Sequence, residues 1–139
     1  MRTRTSWLRT GPLVAALIGA TVVSVPAAEM DGSGPIVCAV RGVMECDRLG
    51  LCEPVEPSRA ALPPFIRVDV GKRLLLATDG SGRQAPIQTT TQAPTRLILQ
   101  GEENGRAWNI VIGKQSGEMT GTVVDDDGAF VVSAACTPS

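Results

Sequence analysis

From Arg96 to Cys136 the chain alternates apolar and polar residues in four runs, separated by Asn104-Gly105, Lys114–Gly117 and Asp126–Gly128. A period of two is the mark of strands with one buried face. Asn104-Gly105 predicts a two-residue type I′ hairpin, because that turn needs positive φ at both central positions. The turn sets a register with Glu103 opposite Arg106, Gly101 opposite Trp108, Leu99 opposite Ile110 and Leu97 opposite Ile112. A four-residue loop at Lys114–Gly117 then places Ile112 against Met119, Ile110 against Gly121 and Trp108 against Val123. With Phe130, Val132, Ala134 and Cys136 on the same side, one core face runs through four strands of an antiparallel meander.

Upstream, Ile36–Cys46 also alternates, and the even positions Cys38, Val40, Gly42, Met44 and Cys46 are predicted to point inward. Residues 47–64 contain four prolines. They read as an irregular connection with a helical turn at Ser58–Leu62 capped by Ser58. Phe65–Val70 reads as a strand with Ile66, Val68 and Val70 on one face, Gly71-Lys72 as a turn and Arg73–Thr78 as the returning strand. Asp79–Gly82 is a loop, Pro86–Thr90 a short edge strand, and Gln88–Thr95 a polar connection without a motif. The expected fold is all-β: a small antiparallel up-and-down β-barrel or sandwich of about eight short strands, with hardly any helix.

The first 28 residues change the picture of where the chain works. Arg2, Arg4 and Arg9 precede an apolar stretch from Leu13 to Val25 and the small residues of VPAA, the layout of a secretory signal peptide cleaved after Ala27 or Ala28. The apolar stretch is short of the ~20 residues that span a bilayer, so no stable membrane anchor is expected after cleavage. Residues 29–35 then form a flexible tail and 36–139 a single domain. Removing the three leader arginines leaves ten basic against fourteen acidic residues in 29–139. That scattered, net acidic charge argues against nucleic acid as a partner.

Four cysteines in an exported chain, Cys38, Cys46, Cys52 and Cys136, read as two disulfides. Three pairings are possible, and spacing alone does not choose among them. The favoured one joins Cys46 to Cys52 across the turn-like DRLGL and Cys38 in the first strand to Cys136 in the last. On the loop-entropy account the long bridge contributes about 4.7 kcal/mol and the short one about 2.4 kcal/mol. Cysteine spacings of seven, five and eighty-three residues, without any histidine, do not suit a structural zinc site.

Candidate chemistry is sparse. Without histidine there is no Ser-His-Asp or Cys-His machinery, and disulfide sulfurs are not nucleophiles. Asp125-Asp126-Asp127-Gly128 attracts attention as a carboxylate cluster. However, the EF-hand glycine position falls on Phe130, and no glutamate stands at the twelfth, so an acidic hairpin tip is expected. Glu102, Glu103, Asn104 and Arg106 around the first turn form a candidate binding loop, with Trp108 two residues on as an aromatic anchor. The competing reading is a hairpin with a Glu103–Arg106 ion pair and a core Trp108 fitted over Gly101.

The leader, CAVRGVMEC with a further Cys52, PPFIRVDV, LILQGEENGRAWNIVIGKQSGEMTGTVV and the terminal FVVSAACTPS together resemble a group of small exported bacterial proteins of uncharacterised function. That resemblance implies no substrate or site residue. In architecture alone the chain is similar to lipocalin-like and lysozyme-inhibitor barrels. The expectation is a periplasmic or secreted, monomeric, non-enzymatic domain with a binding or envelope-support role. It would use no cofactor, and its partner would be an unidentified protein or small ligand of the envelope. Inhibition of an envelope hydrolase through a protruding loop, Glu102–Arg106 or Lys114–Gly117, is the first alternative. Carboxylate-based hydrolysis is the second.

Overall fold

The structure, a computed structural model, describes residues 30–139; the leader and its cleavage site lie outside the described residues. The described residues form ten strands: β1 (Ile36–Asp47), β2 (Cys52–Val55), β3 (Phe65–Asp69), β4 (Leu74–Ala77), β5 (Gln84–Pro86), β6 (Thr89–Gln92), β7 (Arg96–Glu103), β8 (Arg106–Gly113), β9 (Glu118–Val124) and β10 (Gly128–Pro138). A single 3₁₀ turn spans Pro57–Ala60. All neighbouring strands are antiparallel, in the order β5-β4-β3-β1-β10-β9-β8-β7-β6, with β2 paired to β1 off this path.

The meander has the register read from its turns. Leu97 pairs with Ile112, Leu99 with Ile110, Gly101 with Trp108 and Glu103 with Arg106. Ile110 pairs with Gly121 and Trp108 with Val123, and Phe130, Val132 and Ala134 follow across β9–β10. Asn104 and Gly105 take φ of 53° and 78°, as a type I′ turn requires. Leu97, Leu99, Ile112 and Ala134 are completely buried, so the shared inward face is the core.

The sheet curls into a half-barrel, which decides the architecture in favour of a barrel over a sandwich. Its two end strands, β5 and β6, are consecutive in the chain and separated only by Ile87 and Gln88. The Ile87 amide donates to the Arg73 carbonyl beside β4, and the Gln88 amide to the Gln100 carbonyl in β7, each at 2.9 Å. Arg73 grips the same crossing: its Nε donates to the Ile87 carbonyl at 3.0 Å and its Nη2 to the Gln88 carbonyl. The run from Gln84 to Gln92 therefore ties the two ends of the sheet together. The anticipated edge strand at Pro86–Thr90 lies within this run, which leaves one neighbour for the other midway, and the polar Gln88–Thr95 connection overlaps its second half, with Thr89–Gln92 forming β6.

Both bridges close between residues that already face each other, Cys38 with Cys136 across β1–β10 and Cys46 with Cys52 across β1–β2. Disulfides of this kind belong to an oxidising, extracellular-type environment. Among the described residues, no helix is long and apolar enough to cross a membrane.

Four expectations need correction. The inward parity of β1 holds for Cys38 and Val40, but the register shifts between Val40 and Gly42. This bulge turns Val43 into the core and Met44 outward, because one extra residue exchanges the two faces. The connection 47–64 is less irregular than expected: the Cys46–Cys52 bridge lets β2 pair with β1, and Pro54 is accommodated because nothing pairs with β2's other side. The turn beyond it starts at Pro57 after Glu56 and has no side-chain cap, so Ser58 does not cap it. Finally, the segment expected to be a flexible tail is tied down where its description begins. Met30 is buried, its amide donates to the Lys114 carbonyl at 3.0 Å, and the Asp31 carbonyl accepts from Gln92 Nε2 at 2.5 Å. Met30 thereby plugs the end of the half-barrel where β8 finishes.

A candidate ligand cavity at the open mouth

The opposite end, where β8 begins, is not filled. A cavity of about 250 Å³ opens there, walled by Ile66 of β3, Leu75 of β4, Trp108 and Ile110 of β8, Met119 of β9 and Val132 of β10. All but Leu75 are inward positions of the alternating pattern; β4 is half-buried along its length. Space remains because Ala85, another inward wall position, carries little side chain, and the chain after the 3₁₀ turn, Ala60–Pro63, only roofs the opening. An open apolar recess of this size leaves its wall atoms against water rather than against packed side chains, and recesses of this kind admit small, mostly apolar molecules.

Polar groups stand at its edge. Arg83, from the loop between β4 and β5, donates from Nε and Nη2 to the Glu103 carboxylate at 3.1 and 3.0 Å, and from Nη1 to the Ala61 carbonyl. These hydrogen bonds hold Glu103 below its ordinary value of 4.5, against a smaller opposing effect of burial, and raise Arg83. One side chain thus ties the roof, the β4–β5 loop and the end of β7 together. Arg106 lies 3.4 Å from Asp125 through Nε, without the alignment of a hydrogen bond, and its guanidinium sits 5.4 Å above the Phe130 ring. Trp108 is 8% exposed, and its indole N–H is buried without an acceptor. A buried donor left in this state costs about 1–3 kcal/mol; being buried, it lies within the wall and is not open to the cavity.

The predicted loop residues separate into two kinds. Glu103, Asn104 and Arg106 line the cavity, whereas Glu102 serves its own turn by accepting from the Gly105 amide at 2.6 Å. Glu103 and Arg106 face each other in register but do not bond as a pair, which corrects the expected cross-strand bridge: Arg83 and Asp125 take them instead. Trp108 does sit over Gly101, where an added Cβ would fall inside contact distance of the ring. The DDDG tip is a self-contained turn, with Asp125 Oδ1 accepting from the Asp127 and Gly128 amides at 3.0 and 3.1 Å. Arg83 and Ala60–Pro63 escaped sequence reading, because nothing local marks them and they reach the mouth only when the sheet curls.

A second, open and polar basin of about 760 Å³ lies between the β1–β2 loop and the β9–β10 turn. No family model matches the chain, and no curated protein or solved structure is significantly similar to it.

Proposed function

We propose that this is an exported, periplasmic or secreted binding domain without catalytic activity, which takes one small, mostly apolar ligand into the mouth of its half-barrel. The observation that carries this reading is the apolar cavity of about 250 Å³ at the mouth, walled by Trp108, Ile110, Met119 and Val132. Apolar walls supply affinity, and the polar groups at the edge, Asn104 and Arg106, orient the polar end of a ligand. At roughly 30 Å³ per water-sized group, the space suits about eight such groups, the bulk of a short alkyl or monocyclic molecule. The Glu103 carboxylate is engaged by Arg83 and held as an anion, which fits a structural latch better than a general acid.

Trp108 is the one tryptophan after residue 28, so its indole resonance reports the cavity directly. Titration of the mature protein with hexanol, hexanoate and benzyl alcohol should shift the Trp108 indole N–H proton saturably for at least one of them. Ala85→Leu, which fills the cavity, should abolish the shift while the protein stays folded. An indole resonance unmoved by all three up to millimolar concentration would remove the basis of the proposal.

A further inference from the structure

The loop Cys46-Asp47-Arg48-Leu49-Gly50-Leu51-Cys52 joins β1 to β2 and is held rigid in three ways. The Cys46–Cys52 bridge closes its base. Asp47 Oδ1 accepts from the Leu49 and Leu51 amides at 2.8 and 3.0 Å, while the Asp47 carbonyl accepts from Gly50 and the Asp47 amide donates to Leu51, both at 3.0 Å. Gly50 supplies the left-handed turn with φ of 81°, open to glycine at little cost. This order is spent on displaying apolar side chains. Leu49 is 86% exposed and Leu51 70%, the two most exposed large hydrophobic residues described. Side chains presented on a pre-ordered loop lose little conformational freedom on docking, as interface anchors do.

The charge around the leucines identifies what they meet. Glu45, Asp47, Glu53, Asp125, Asp126 and Asp127 crowd this end of the half-barrel, most of them around the polar basin that Leu51 also lines. Three arginines answer them, and each has an acidic partner: Arg59 with Glu45 at 3.0 Å, Arg106 with Asp125 at 3.4 Å and Arg48 with Asp127 at 3.9 Å. The end is net acidic, with Glu53 and Asp126 outside any ion pair among the described residues. A second copy would bring the same acidic end against it, and an anionic bilayer would repel it. We infer that the 46–52 loop is a docking element for a basic protein, whose apolar recess receives Leu49 and Leu51 while its lysine or arginine side chains enter the acidic basin. This surface adjoins the cavity mouth, with Arg106 lining both, but its argument does not depend on the ligand reading.

The test places a photoreactive benzoyl-phenylalanine at Arg48 in the full chain, expressed in its own cells, with the same group at exposed Thr120 on β9 as the control. The expected adduct, specific to position 48, is a protein of basic surface. With that partner purified, Leu49→Asp should weaken binding by about 30-fold or more without lowering the thermal midpoint. Glu53→Gln with Asp126→Asn should weaken it several-fold at low salt and little at high salt, and Ala85→Leu should leave it unchanged. Adducts with a second copy, with lipid or with an acidic protein, or none above the Thr120 control, would overturn the proposal. So would a basic partner whose affinity Leu49→Asp does not alter.

Discussion

Replacing Gly101 by alanine adds one methyl group at the point where the two ends of the sheet meet. The new Cβ would fall inside contact distance of Trp108 Cζ2 and Cε2 on one side and of the Pro86 carbonyl oxygen on the other. Neither neighbour retreats freely. Pro86 belongs to β5, paired with Leu74, and two residues later the Gln88 amide bonds to Gln100 in β7 at 2.9 Å. Trp108 is 8% exposed and can yield only by tilting into the cavity. Overpacking of this kind costs about 1–3 kcal/mol, and disturbing a strand hydrogen bond adds about 1 kcal/mol. Gly101→Ala should therefore lose about 2–4 kcal/mol. At about 4 °C per kcal/mol for a domain of this size, the thermal midpoint followed by far-ultraviolet circular dichroism should fall by about 8–16 °C. A double-mutant cycle separates the two contacts. Trp108→Ala alone should cost about 3 kcal/mol or more. In its background Gly101→Ala should cost at least about 1 kcal/mol less than in the native chain, the remainder reporting the Pro86 crossing. A stable Gly101→Ala protein, or two costs that simply add, would refute the placement of Trp108 over Gly101 and with it the cavity wall.

Other outcomes follow from the same contacts. Cys38→Ser and Cys136→Ser should destabilise alike, because each opens the same bridge spanning 98 residues, with a loss of about 4.7 kcal/mol; Cys46→Ser should lose about 2.4 kcal/mol. Denaturant unfolding of the three variants checks the order. Glu103 is depressed in the folded state, so its contribution is fully present above its ordinary value of 4.5 and is lost as pH falls through the lower folded value. The stability gap between the native protein and Glu103→Gln, below about 1 kcal/mol for a partly exposed pair, should therefore shrink only below that pH. A gap unchanged down to the acid transition would contradict the Arg83 latch. Gly117 has φ of 70°, and an added Cβ would abut the Cys136 carbonyl; Gly117→Ala should cost about 1–3 kcal/mol in thermal unfolding.

The readable part of the fold was local. Asn104-Gly105 dictates its turn chemistry, the turn sets the register of β7 and β8, and a period of two carries that register on to Cys136, so each step needs only the neighbouring residues. The candidate loop was legible for the same reason, since Glu102 to Arg106 surround that turn. What that loop does was not legible: Glu103 bonds to Arg83, twenty positions away, and no pattern within β7 or β8 announces it.

By itself, then, the sequence determined an all-β chain, the inward face of the meander and cysteines placed in the first and last strands. These follow from residue period, turn propensity and spacing, which are short-range properties. Tertiary structure decided the rest. The bulge beyond Val40 exchanged the faces of β1, because it depends on how β1 fits β10. The run from Gln84 to Gln92 tied the ends of the sheet, because a strand's second partner is set by curvature accumulated over every strand between. The cavity, too, is a property of closure: the small side chain of Ala85 leaves empty volume only when the sheet wraps it inward and no longer side chain reaches across to fill it.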